Sequence, residues 1–302
     1  MIVTVTANAA VDRTVAVGRL LPGTRVEARS EHVQAGGKGV NVARVLHGLG
    51  VPAMAVVVVG GAAGDWILSD LERAGIPARA LRAPGESRTC LELVEPGGRV
   101  TQVHGRGVCG SAGLVDALLA TCEGLEASWL AVCGSLAPGL PADCVARLVE
   151  RARRRGVRSA VDTSGAALTA ALAAGPDLLR VNRTELGDAL GIEPEAAPGD
   201  PRSRGVGLGV VSAGEGPVHA WSAEGARLRL HPPVVPLVNP VGCGDAMLAG
   251  LLARLAAGAD ATEALRFGLA LAAADAESPV AGRPDSARAA ALVPAVRVEA
   301  WA

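Results

Sequence analysis

Short apolar runs recur along this chain, and each stops at a small or polar residue. Val3 to Val5, Val56 to Val59, Leu130 to Gly134, Arg158 to Asp162, Leu178 to Asn182 and Gly205 to Ser212 have the length of strands. Helical patterns stand between them. Val42, Val45, Leu46 and Leu49 fall on one stripe, and further helices are predicted over Trp66 to Ala74 and from about Pro141 to Arg155. Strands that are apolar throughout and alternate with helices predict a mostly parallel sheet covered on both faces. Two stretches break this rhythm. Residues 13–34 alternate around Pro22-Gly23, and residues 86–106 alternate around Glu95-Pro96-Gly97-Gly98, a hairpin signal. The expectation is a single α/β domain over residues 1–302, three layers deep, with a small β lid made from the two inserts. Helices are predicted to close the chain at roughly Ala261 to Glu277 and Asp285 to Leu292. Residues 193–204, rich in Pro, Ala and Gly, predict a surface loop.

Composition excludes several classes of function. The net charge is −1 with both signs mixed, and the basic run Arg151 to Arg155 lies on a predicted helix, so nucleic acid is not an expected partner. The start Met1-Ile2-Val3-Thr4 is strand-like, not a secretory leader, and no apolar stretch has the length of a membrane span. A soluble, cytoplasmic protein with no membrane partner is expected. Six cysteines without a CxxC pair argue against zinc and disulfides.

Two glycine-rich helix starts carry the chemistry. Asn239-Pro240-Val241-Gly242-Cys243-Gly244-Asp245 runs into the apolar helical pattern Met247, Leu248, Leu251, Leu252. Backbone N–H groups left bare at such a start converge on one point, where the helix dipole also favours an anion. An aspartate there would repel that anion unless it has another task, such as taking a proton from an attacking hydroxyl. An ordinary first-turn Asp is the plainer alternative. The second start is Ala35-Gly36-Gly37-Lys38-Gly39-Val40-Asn41, which is not a Walker A loop because GxxxxGK[ST] is absent. Lys38 is the only lysine in a chain that uses arginine at every other fixed basic position. A compact ammonium is a mobile point charge for phosphate and needs less room than a guanidinium.

The two starts, in this order, resemble those of the PfkB family of carbohydrate kinases in the ribokinase-like superfamily. The closest resemblance is to its 1-phosphofructokinase and tagatose-6-phosphate kinase branch. Gly36 to Arg44 is similar to the family's N-terminal signature, and Asn239 to Asp245 to its C-terminal one, with Cys243 where Ala or Ser is usual. Gly134-Ser135-Leu136-Ala137-Pro138-Gly139, Asp162-Thr163-Ser164-Gly165, Asn182-Arg183-Thr184-Glu185 and Ser212-Ala213-Gly214 lie between them in the family's order. The resemblance covers nearly the whole chain and implies a ribokinase-like three-layer αβα fold. The chain departs from the branch at Asn8-Ala9, where Asn-Pro is common, and at Arg180-Val181-Asn182, where Lys-Pro-Asn is common.

Carried over residue by residue, the resemblance implies Asp245 as catalytic base, with the amides of Gly242, Cys243 and Gly244 as an anion hole for the transferring phosphoryl group. It implies a substrate-binding set of Asp12, Gly37, Lys38, Asn41, Arg88 and Ser135. Asn182, Glu185, Ser212 and Gly214 would bind the nucleotide, with ATP and Mg²⁺ as cofactors and Glu185 meeting the metal, through water if not directly. Glu185 also reads as a capping residue in a first helical turn. The expected activity is transfer of phosphate from ATP to a ketohexose phosphate, by a homodimer formed through the lid. The other readings are a kinase of a free sugar or nucleoside, and a non-catalytic sugar-phosphate sensor on the same fold.

Overall fold

The computed structural model describes residues 1–193 and 205–300. The chain opens with β1 (Ile2–Thr6), β2 (Ala10–Val17), β3 (Ala28–Gly36), α1 (Lys38–Gly48), β4 (Ala53–Val59) and α2 (Gly61–Arg73). There follow β5 (Ala78–Arg82), β6 (Arg88–Val94), β7 (Val100–His104), α3 (Ala112–Glu123), β8 (Trp129–Cys133) and α4 (Cys144–Arg154). Next come β9 (Arg158–Asp162), α5 (Gly165–Ala174), β10 (Leu178–Asn182), α6 (Arg183–Leu190) and β11 (Leu208–Ser212). The last part holds β12 (Val218–Ser222), β13 (Arg227–His231), α7 (Cys243–Ala256), α8 (Ala261–Ala276), α9 (Ser286–Leu292) and β14 (Arg297–Ala300).

Among the described residues the main sheet has ten strands in the order β14-β13-β12-β11-β10-β9-β8-β1-β4-β5. From β11 to β5 every neighbouring pair is parallel. β12, β13 and β14 extend it antiparallel. β4 shows why the apolar strands sit inside. Val56 and Val58 pack into the core beneath α3 to α6, while Ala55, Val57 and Val59 pack on the opposite face with α1 and α2. Helices α7, α8 and α9 bury their apolar sides farther along that second face. Strands buried on both faces need this double cover, and each valine so removed from water contributes roughly 1.5–3 kcal/mol. No described helix is long and apolar enough to cross a membrane.

The lid is a second sheet of four strands in the order β3-β2-β6-β7. Each insert forms an antiparallel hairpin, and the parallel pairing of β2 with β6 joins them. Some boundaries differ from the sequence reading. Asp12 lies within β2, on the lid and not in the main sheet. The chain turns at Ala7-Asn8 and the next strand begins at Ala10. β5, α3 and the antiparallel edge strands were not anticipated. α3 begins after Ser111, whose side chain caps it by accepting from the Leu114 amide. The surface loop expected over 193–204 lies, beyond its first residue, outside the described residues.

Candidate active site

The parallel strands end along one edge of the sheet, and polar residues collect there: Asp162 on β9, Asn182 on β10 and Ser212 on β11. The start of α1 and the start of α7 face the same place. Gly242 sits at the N-cap of α7 with φ 90°, a backbone conformation that glycine adopts freely, and no side chain caps that helix. The first amides of α7 therefore remain available to an anion. Asp245, in the first turn, is buried, and its Oδ2 accepts a hydrogen bond of 2.8 Å from Asn41 Nδ2 on α1. The oxygen of that amide, Asn41 Oδ1, is buried with no protein partner.

Lys38 bridges the two halves of the site. Its Nζ lies 2.5 Å from Asp162 Oδ1 and 3.3 Å from Glu185 Oε1. Arg180 stands opposite, with Nη1 3.0 Å from Asp162 Oδ2 and Nη2 donating to Ser212 Oγ at 2.9 Å. Its guanidinium lies over the start of α7, because a Cβ added at Gly244 would fall 2.2 Å from Arg180 Nη1. Arg180 Nε is buried and lacks a protein partner. Two cations and three carboxylates (Asp162, Glu185, Asp245) thus crowd one volume, and their environments separate them. Burial would raise the Asp162 carboxyl, but Lys38 and Arg180 beside it hold it below its ordinary value. Burial, then repulsion from Asp162, pushes Asp245 up to about 7, with Lys38 and the Asn41 hydrogen bond opposing. Asp162 keeps the charge of the pair, and Asp245 is the carboxyl poised to exchange a proton near neutral pH. For Lys38, burial works against the ammonium, yet Asp162 and Glu185 more than offset it and hold it above the lysine range.

The other side of the cluster faces the lid. Asp12 Oδ2 accepts from the Gly37 amide at 3.3 Å, and a Cβ at Gly36 would lie 1.9 Å from that carboxylate oxygen. Burial raises the Asp12 pKa, opposed by the Gly37 hydrogen bond and by the nearby Arg88. Arg88 Nε donates to the Asn8 carbonyl at 3.1 Å, which fixes it at the root of the lid.

Residues 3–288 match the model of the pfkB family carbohydrate kinases. The chain belongs to the pfkB family. It is 35% identical over 279 residues to a 1-phosphofructokinase of Rhodobacter capsulatus, covering 89% of this chain and 88% of that one. A 1-phosphofructokinase of Xanthomonas campestris pv. campestris is 38% identical over 283 residues, covering 86% and 85%. Among solved structures, phosphofructokinase-2 from Escherichia coli in complex with potassium superposes with a TM-score of 0.88 at 26% identity, over 97% of this chain and 98% of that one. The ribokinase-like three-layer fold with its β lid is the pfkB architecture, and the chain is a carbohydrate kinase.

In this pfkB chain most of the predicted site residues converge. Asp245, the Gly242 to Gly244 backbone, Lys38, Asn41, Glu185 and Ser212 form one connected group through the contacts above. Asn182 and Glu185 close a capping box on α6: Asn182 Oδ1 accepts from the Glu185 amide at 2.7 Å, and Glu185 Oε2 accepts from the Asn182 amide at 2.9 Å. The capping role is therefore present, beside the contact of Glu185 with Lys38. Ser135 is exposed and follows Gly134, whose backbone lies against the Lys38 side chain. Gly214 (φ 59°) turns the chain just after Ser212. Cys243 is held as a thiol near the Asn239 carbonyl, 3.8 Å away, and burial pushes its pKa to about 12, so it fills space and offers its backbone amide.

Asp162 and Arg180 were not among the predicted site residues. Both gave a signal. A charged side chain inside the buried strand run Leu178-Leu179-Arg180-Val181, and an aspartate closing another such run, are costly unless they meet partners at the strand ends. Asp275 was also missed: it accepts from the Gly282 and Arg283 amides and lies against Gly242, bracing the turn that starts α7.

Proposed function

We propose that this kinase transfers the γ-phosphoryl group of ATP to a hydroxyl of a ketohexose phosphate, with Asp245 as general base. The observation that carries the reading is the buried Asp245 carboxyl at the open N-terminus of α7, held by a hydrogen bond from Asn41 and pushed up to about 7 by burial and by Asp162. In the step, the acceptor oxygen attacks the γ-phosphorus as its proton passes to Asp245, and the bond to the β-phosphate oxygen breaks to release ADP. The amides of Gly242, Cys243 and Gly244 would receive the charge of the transferring group, with Arg180 beside them and Lys38 across the site. Asn41 Oδ1 and Arg180 Nε, buried without protein partners, suit a ligand rich in hydroxyls and phosphates.

Asp12, the Gly37 amide and Asn41 would hold the sugar, and Arg88 and Ser135 its existing phosphate. Asn182, Ser212 and Gly214 would border the nucleotide. Magnesium would supply charge neutralisation on the nucleotide's phosphates. Both oxygens of Glu185 are already engaged, by Lys38 and the Asn182 amide, so Glu185 would meet that ion through water. The relatives named 1-phosphofructokinase favour an acceptor of the fructose 1-phosphate or tagatose 6-phosphate type over a free sugar.

A coupled assay with fructose 1-phosphate, tagatose 6-phosphate, fructose 6-phosphate and ribose tests this. Turnover confined to ketohexose phosphates is expected; tight sugar-phosphate binding without turnover on any of the four would make the chain a sensor. We further propose that two copies pair through their lids, where Val103 on edge strand β7 is 58% exposed. Light scattering at assay concentration reads this directly, and a monomer refutes it.

A further inference from the structure

Behind α1, beside the Gly282-Arg283 turn that packs against the start of α7, a cavity of about 510 Å³ opens between α1, α2 and the segment leading into α9. Arg44, His47, Asp70, Arg73, Arg283 and Ser286 line it. Nothing in the phosphoryl transfer described above uses it. Its charges do not balance. Three guanidiniums meet one carboxylate, and that carboxylate is already committed: Asp70 Oδ2 accepts from the Ala35 amide at 2.7 Å, and Oδ1 pairs with Arg73 at 3.3 Å.

Arg44 is the decisive residue. Its side chain is 7% exposed, and its Nη2 is spent on the Ala35 carbonyl at 2.7 Å. Asp70 stands 3.8 Å from it, beyond hydrogen-bond reach, and Arg44 Nε is buried with no protein partner. That nitrogen is sealed from solvent, so a ligand in the cavity meets Arg44 only through the part of its side chain that reaches the cavity wall. Burial first, and repulsion from Arg283 second, lower the Arg44 pKa to about 10, which an anion between the two guanidiniums would reverse. Arg283 holds its place through Nε, which donates to Gln34 Oε1 at 3.1 Å, and Arg73 reaches in from the exposed end of α2.

We infer that this cavity binds the phosphate group of a small ligand, either the free ion or a phosphorylated metabolite. Several guanidinium donors around one point match the tetrahedral oxygens and the double charge of phosphate better than a single carboxylate. The cavity volume is that of a small-molecule site. It is also coupled to the kinase site by construction. Arg44 shares α1 with Lys38 and Asn41, and the Gly282-Arg283 turn is held by Asp275 against Gly242.

Calorimetric titration of the full chain with inorganic phosphate, and separately with glycerol 3-phosphate, tests the assignment at constant ionic strength in chloride. Arg73 is exposed and plays no part in phosphoryl transfer, so Arg73→Glu and Arg73→Gln address the cavity alone. Binding is expected to weaken about tenfold or more in Arg73→Glu and about threefold in Arg73→Gln. Turnover in phosphate-free buffer should stay within about twofold of wild type in both. Tighter binding of the ester would mark a phosphorylated metabolite as the source, and binding of phosphate at least as tight would mark the free ion. Unchanged binding in Arg73→Glu would place the anion elsewhere, and absence of binding up to about 20 mM would leave no site at all; either overturns the inference. The readout is heat, not kinase activity, so it stands apart from the acceptor assay.

Discussion

Asp245→Asn should make the protein more stable while removing its activity, and the gain should depend on pH. The carboxyl has a pKa of about 7 in the fold against 3.8 for an ordinary aspartate. A raised carboxyl pKa means that the folded state holds this proton over a range where the unfolded chain has lost it. Stability therefore falls as pH rises from about 4 to about 7 and is flat above. Three units correspond to about 4 kcal/mol for the whole range, and the part lost between about pH 5 and pH 7 is about 3 kcal/mol. That is an upper bound, because ionisation is shared with Asp162 and the fold relaxes around the charge. Asparagine keeps the shape, can accept from Asn41 through its own oxygen, and never ionises. The difference in Tm between Asp245→Asn and wild type should then widen by up to about 5 °C from about pH 5 to about pH 8.5, taking about 2 °C per kcal/mol at this chain length. Turnover should fall by about three orders of magnitude with nucleotide affinity little changed. Wild-type kcat/KM should climb with pH through an apparent pKa close to 7. A Tm difference that is constant across that range would show that Asp245 is not held protonated by its surroundings. Retained turnover would remove it from the role of base.

Other substitutions probe the same site. Gly244→Ala puts a methyl group 2.2 Å from Arg180 Nη1 and must displace the guanidinium; kcat is expected to drop about tenfold to a hundredfold while far-UV circular dichroism is unchanged. Lys38→Arg replaces the compact ammonium between Asp162 and Glu185 with a longer planar group, so kcat/KM for the acceptor should fall at least about tenfold, and full activity would show that the site does not need an ammonium. Glu185→Gln keeps an oxygen for the capping box but loses the charge: Tm should move by less than about 2 °C while the Mg²⁺ concentration for half-maximal rate rises, and an unchanged Mg²⁺ requirement would leave Glu185 as a cap alone.

The layered fold was legible because the strands are apolar on both faces, and their spacing leaves room for helices. The two glycine-rich helix starts were legible too: α1 begins at Lys38, and α7 begins just after Gly242 with Asp245 in its first turn. What escaped was set by partners distant in sequence. The resemblance names Asp12 for the substrate, but only the pairing of β2 with β3 and β6 makes it a lid residue. Arg180 reads as a departure from its family until Asp162, Ser212 and the bare backbone of Gly244 are seen around it. The edge strands β13 (Arg227-Leu228-Arg229-Leu230) and β14 (Arg297-Val298-Glu299-Ala300) alternate charged and apolar residues, a two-residue period that marks a strand, but each run is short and no turn signal ties the two together. Glu185 shows the opposite difficulty: a local capping motif and a position facing Lys38 coexist in one side chain, and spacing alone cannot separate them.

The parallel ladder between β2 and β6 has a consequence for how the molecule is assembled. Contacts along it, such as Thr14 with Glu92, join residues 78 apart, and the whole β3-α1-β4-α2-β5 segment is folded between them. Closing so long a loop costs chain entropy before any lid contact forms, so the lid completes only after that segment has packed. Asp12 meets Gly37 within the shorter β2–β3 hairpin, so the late ladder sets when Arg88 on β6 joins Asp12 rather than when Asp12 itself is placed.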